Sequence, residues 1–336
     1  SKFPDPKGMI EELHAKGFKI MLWLTPFISP DSKEFRYLRG EGALVTKKGS
    51  NEPAIINWWD GYSACLDLTK PQAVNWLISQ LKNLQTKYGV DGFKFDAADF
   101  HFYFQDNVDA VGVIQSQKYA EVGLQFDFNE FRACWKMGGQ ALGQRLNDKR
   151  YAWEDVRILI PEMLTAGLLG HAYTCPDMIG GGLLSTFQNI DPDKFDQSLI
   201  VRSAQIQALM PMMQFSIAPW KILDNEHLRY CRNAAQLHSK MGEYIYKTAQ
   251  QSSQTGEPIV RYMEYAFPNQ GFENCQDQFM LGEDYLIAPV VTQTTERSVK
   301  LPKGNWIDEN GKKYKGGRTV TITCTLDRLA YFKRIK

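Results

Sequence analysis

What most constrains the fold of this chain is a repeated alternation. Amphipathic helical stretches are followed, about six times, by short apolar runs that end in aspartate or another polar residue. Residues 6–16 carry Met9, Ile10, Leu13 and Ala15 at helical spacing, stop at Gly17, and lead into an apolar strand over 18–24. A second helix begins near Pro71, turns Val74, Trp76, Leu77, Leu81 and Leu84 inward and stops before Gly89, where the strand 90–95 follows. The spacing then predicts a helix near 129–138, a strand near 142–146, a helix over 153–166 and a strand over 171–174. A helix near 195–209, a long amphipathic helix over 226–250 and a strand over 258–262 complete the series. This rhythm builds parallel βαβ units, hence a closed barrel or an open doubly wound sheet. There is no GxGxxG turn after the first strand, which weighs against dinucleotide binding. Polar side chains at the C-terminal ends of several strands favour the barrel.

A complete eight-stranded barrel takes roughly 250 residues. The expected fold is therefore a (β/α)8 TIM-type barrel, incomplete at its N-terminus and entered from about the third strand, over residues 1–265. From 266 to 336 short strand-like runs are separated by turn signals such as Pro302-Lys303-Gly304 and Asn310-Gly311, which predict a small all-β, sandwich-like domain.

With 43% hydrophobic residues the chain can fill a large core, and a formal charge of +1 with scattered Lys and Arg gives no electrostatic case for nucleic acid. No apolar run reaches the ~18 residues of a membrane span. The six cysteines (65, 134, 175, 231, 275 and 324) lack CxxC or CxxH spacing, and His101 and His171 lack partners at ligand spacing. Free thiols and structural histidines are expected, with no metal and no cofactor. Residues 1–6 have no signal-peptide character and read as a loop entered in mid-chain.

The strand over 90–95 delivers Lys94 and then Asp96 to one face. A lysine in an apolar strand needs an anion, and Asp96 is the nearest candidate. Asp148 follows the next predicted strand end, so two carboxylates could converge at a barrel mouth, as glycoside hydrolysis requires; solvated strand-end aspartates or helix caps are the plainer alternative. Trp58-Trp59 lies in a loop and suits either stacking on a sugar ring or packing over the rim. Asp177 precedes Gly180-Gly181-Gly182 and either binds a hydroxyl or organises its loop through an Asx turn. Arg132, on the predicted helix, is either a surface charge or a fork onto a carboxylate or hydroxyl pair.

The sequence resembles glycoside hydrolase family 31 at many points in order. These are Phe3-Pro4-Asp5-Pro6-Lys7-Gly8-Met9-Ile10, His14-Ala15-Lys16-Gly17-Phe18-Lys19 and Trp23, then Asn147-Asp148-Lys149-Arg150 with Trp153-Glu154. Pro176-Asp177-Met178-Ile179-Gly180-Gly181, Gly256-Glu257-Pro258-Ile259-Val260-Arg261, Leu286-Ile287-Ala288-Pro289-Val290 and Leu301-Pro302-Lys303-Gly304-Asn305-Trp306 continue it. Asn57-Trp58-Trp59-Asp60-Gly61 and Phe93-Lys94-Phe95-Asp96-Ala97 resemble the α-galactosidase-like branch. The resemblance implies a retaining, exo-acting α-glycosidase, in particular an α-galactosidase, with Asp96 as nucleophile and Asp148 as acid/base. It also implies that Trp59, Lys94 and Arg132 line the sugar subsite. The family's sugar-binding histidine is missing near Met213-Gln214-Phe215-Ser216, as in the galactosidase-like branch. By the same resemblance the partner is a glycoside or oligosaccharide, and an upstream part of the polypeptide completes the barrel. An α-glucosidase or α-xylosidase, and a non-catalytic carbohydrate-binding fragment, are the other readings.

Overall fold

The computed structural model describes residues 2–105, 107–183 and 195–335, and the chain divides into two compact units, 1–144 and 145–336.

In the first unit the strands Met21–Leu24, Gly92–Phe95 and Phe128–Phe131 lie parallel, and the start of Gly143–Arg145 extends them. Helix Pro71–Tyr88 starts on its proline and stops where Gly89 takes φ 75° and returns its amide to the Gln85 carbonyl at 2.8 Å. One face of the sheet is covered by helix Gly112–Gly123. Phe95 stacks on Phe131 with ring centroids 5.0 Å apart and meets Tyr119 edge-on at 5.3 Å. Each such buried ring contributes about 1.5–3 kcal/mol. Only glycine fits at 123, because a Cβ there would lie 2.3 Å from the Phe131 ring. Since strand side chains alternate, seating Phe93 and Phe95 on the helical side turns Lys94 and Asp96 to the opposite face. That alternation decides what the site is made of.

The strand Phe128–Phe131 corrects the helix expected over 129–138. Four residues are too few to display either period, and pairing with Gly92–Phe95 overrides local preference. Between the first two parallel strands, Phe27–Ile28, Ile56–Trp58 and Gly61–Cys65 form a small antiparallel sheet. The Gln105 amide fastens it, accepting from Asn57 N at 3.0 Å and donating to Asn57 O at 2.9 Å.

In the second unit the Leu146 amide bonds the Cys175 carbonyl at 3.0 Å, and Ile179 pairs in parallel with Phe215. Helices Trp153–Leu168, Gln197–Gln207 and Asn225–Thr255 bury Val156, Ile160, Met163, Ile200, Ala204 and Ala234 in one core. Asp224 caps the longest of them by accepting the Glu226 and His227 amides. Strand Val260–Arg261 pairs with Phe279–Leu281 and so joins an antiparallel sheet with Tyr285–Ile287, Tyr331–Ile335, Asn305–Asp308 and Lys313–Lys315. Glu296–Leu301 and Arg318–Thr323 make a second, two-stranded sheet. Trp306 is fully buried here, and its indole N–H reaches the Pro302 carbonyl at 2.9 Å. Arg202, buried on helix Gln197–Gln207, donates to the carbonyls of Cys324 at 2.7 Å and of Thr325 and Arg328. The six cysteines are free thiols. Among the described residues no helix is long and apolar enough to cross a membrane.

Candidate active site

In the first unit the site grows from neighbouring strand ends. Asp96 follows Phe95, and Arg132 follows Phe131, its register partner. An Arg132 Nη therefore stands 3.5 Å from Asp96 Oδ1. The other arm of the guanidinium takes Asp99, and its plane lies 4.8 Å from the Trp59 ring. Asp96 also accepts the Trp23 indole N–H at 2.7 Å and its neighbour Ala97's amide at 2.9 Å. Trp23, the Ala97 amide and Arg132 thus orient the carboxylate.

The chain leaves Asp96 through an unusual turn. Ala97 and Ala98 both take the left-handed conformation, with φ 59° and 58°, and both are fully buried. Each costs about 1–2 kcal/mol relative to a right-handed residue. The turn brings Asp99 back onto the arginine that already meets Asp96, and the Ser116 hydroxyl holds it by donating to the Ala98 carbonyl. Strain of this kind is kept where the surrounding contacts over-determine it.

Lys94 does not take Asp96 as its ion-pair partner, contrary to the sequence expectation. Its ammonium stands 3.0 Å from Glu130 Oε1, its register partner on the adjacent strand. Trp58 packs on Phe27 at 4.4 Å and donates to the Ser63 hydroxyl at 3.1 Å, while Trp59 is half exposed. Arg132 lies on no helix; it extends a strand.

In the second unit Arg145 ends its strand with its side chain buried and one Nη shared among three acceptors. These are Asp148 Oδ1 at 2.6 Å, Asp177 Oδ1 at 3.0 Å and the Leu146 carbonyl at 3.1 Å. Asp148 retains 29% side-chain exposure, whereas Asp177 has none. Asp177 Oδ2 accepts the Lys149 amide at 2.6 Å, and burial pushes its carboxyl pKa up against these contacts. Of the two readings left open for Asp177, these contacts are those of a carboxylate that organises the loop around Asp148. Lys149, buried too, pairs with Glu162 at 2.7 Å. Gly182 closes the arrangement: a Cβ there would lie 2.5 Å from Asp148 Oδ1 and 2.9 Å from Asp177 Oδ1.

Sequence reasoning gave no site role to Trp23, which entered only as part of the family resemblance, nor to Asp99, Glu130 or Arg145. Glu130 carried a usable signal, a charge inside the short apolar run Phe128-Asn129-Glu130-Phe131 that mirrors Phe93-Lys94-Phe95. Among the described residues no group of three or more His, Cys, Asp or Glu side chains is arranged to hold a metal ion.

Charged side chains at the C-terminal ends of parallel strands, with an antiparallel domain next in the chain, are the arrangement of a TIM-barrel protein. Residues 1–248 match the TIM-barrel domain of glycosyl hydrolases family 31, and residues 256–335 match the C-terminal domain of that family. The chain belongs to glycosyl hydrolase family 31. It is 32% identical to the "Myogenesis-regulating glycosidase" of Mus musculus over 98% of this chain and 48% of that protein. "Alpha-glucosidase 2" of Bacillus thermoamyloliquefaciens is 24% identical over 99% of this chain and 45% of that protein. The "Cycloalternan-degrading enzyme from Trueperella pyogenes" superimposes with a TM-score of 0.87 at 23% identity, over 99% of this chain and 52% of the other, a likeness of fold. The chain thus spans about half the length of these relatives.

Proposed function

We propose that the protein carrying this chain is a retaining, exo-acting α-glycosidase whose sugar is α-galactose. Residues 1–265 would belong to the catalytic barrel and 266–336 to its β domain. In this reading a carboxylate oxygen of Asp96 attacks the anomeric carbon while Asp148 gives its proton to the leaving oxygen. Asp148 then takes a proton from water, whose oxygen displaces Asp96 and frees the sugar. Trp59 offers an exposed ring to the apolar face of the sugar, and Lys94 and Arg132 donate to its hydroxyls. The observation that carries the reading is the arrangement around Asp96. Its carboxylate is held at a strand end by Trp23, the Ala97 amide and Arg132.

A second reading, an α-glucosidase or α-xylosidase, is favoured by the names of relatives, because hydroxyl contacts rather than the carboxylate pair select the sugar. The test is turnover of aryl α-galactoside, α-glucoside and α-xyloside by the full-length protein and by Asp96→Asn. Cleavage of the galactoside alone, abolished by the substitution, is expected. Preference for the glucoside or xyloside would replace the sugar assignment, and substantial turnover by Asp96→Asn would refute the nucleophile.

A further inference from the structure

Four charged side chains of the first unit form a square on the face turned away from the helices. Lys94 and Asp96 alternate along one strand and its end, Glu130 and Arg132 along the next, and the parallel register sets them side by side. The cross-strand pairs are Lys94–Glu130 at 3.0 Å and Asp96–Arg132 at 3.5 Å. Along each strand the signs also alternate, so every corner has two neighbours of opposite charge. Glu130 is the most enclosed corner: its side chain is 8% exposed, against 22% for Lys94.

We propose that Glu130 is a positioning residue that keeps the Lys94 ammonium away from Asp96. Lys94 has a long stem and three donors, and Asp96 lies on the same face two residues on. Without the carboxylate of Glu130, the partly buried ammonium is left with Asp96, the acidic side chain two residues on along the same face of its strand, as the anion to turn to. A carboxylate tied to an ammonium loses basicity and part of its freedom to approach the anomeric carbon. With Glu130 present, Lys94 is paired from the adjacent strand and keeps donors for a sugar hydroxyl, an acceptor it meets without disturbing Asp96. This role rests on the assignment of Asp96 as nucleophile.

The test uses the full-length protein and an activated 2-fluoro α-galactoside or a galacto-configured cyclitol epoxide, with the rate of covalent labelling of Asp96 followed by mass spectrometry. Glu130→Gln is expected to slow labelling at least tenfold at saturating reagent. In a Lys94→Met background the same Glu130→Gln substitution is expected to change the rate less than twofold, since the competing ammonium is gone. An equal loss in both backgrounds, or no loss in either, overturns the proposal, because a merely structural carboxylate would not depend on Lys94. If Glu130→Gln fails to fold, the double variant Lys94→Met/Glu130→Gln carries the comparison, and labelling slower than Lys94→Met alone by tenfold refutes it. Labelling of another residue in the unaltered protein removes the nucleophile assignment and this role with it.

Discussion

Gly182→Ala should disable the proposed acid/base while leaving the nucleophile alone. Gly182 does not use the left-handed region, so alanine brings no backbone penalty, and the effect arises from the methyl group. That methyl would stand 2.5 Å from Asp148 Oδ1, and an ordinary contact of ~3.5 Å demands a movement of roughly 1 Å. Asp177 cannot yield, being fully buried and bonded to Arg145 and the Lys149 amide. Asp148 retains exposure and is the group that moves. A displacement of about 1 Å in a catalytic group costs on the order of 100-fold in rate, or ~2.7 kcal/mol of barrier. The overpacking should cost the fold only ~1–3 kcal/mol. Aryl α-galactosides with good and poor leaving groups separate the causes. The poor leaving group needs protonation and should lose the full factor, while the activated one should lose far less. Equal losses for both, or a loss below threefold with the poor leaving group, would refute the reasoning.

Asp148→Ala in the full-length protein should regain turnover of activated substrates when azide is added, with the product keeping an azide; a folded variant that azide leaves unchanged would count against the acid/base role. Ala98→Gly relieves one left-handed residue and should raise stability by about 0.5–1 kcal/mol in denaturant titration, while slowing turnover because Asp99 is held less firmly; a loss of stability would contradict the strain. The Ile20 amide above all, with Lys19 and His14, holds the Asp91 carboxyl well below the usual carboxylate range. Its stabilisation is therefore present above pH ~4 and lost as the pH falls towards the folded value. Asp91→Asn should destabilise at neutral pH, and in thermal melts the gap from the unaltered protein should begin to narrow at pH ~4 and shrink further as the pH falls towards the folded value.

Much of this architecture was legible because the helices are long enough to show their period. Pro71 and Gly89 mark both ends of their helix within a residue, and the Asn310-Gly311 turn and the buried Trp306 announce the β domain. What stayed hidden follows from brevity and from register. Phe128–Phe131 is too short to declare itself, and with it went the placement of Arg132 and the partner of Lys94. No local pattern reports which residues face each other across two parallel strands 36 positions apart, as Lys94 and Glu130 do. Asp177 stood out by preceding a glycine run, yet only the structure shows that its oxygens are engaged by Arg145 and the Lys149 amide.

Arg202 bears on how this polypeptide can be divided. A guanidinium on a barrel helix is buried against carbonyls supplied by residues beyond 320, and Val260–Arg261 finds its hydrogen-bonding partner in Phe279–Leu281. Cutting the chain near residue 265 would strip Arg202 of its carbonyl acceptors, leaving it only Gln205 Oε1 on its own helix, and would leave Val260–Arg261 without the strand it pairs with. Exchange of the β domain between relatives is then expected to succeed only where the Arg202 helix and the carbonyls it meets travel together.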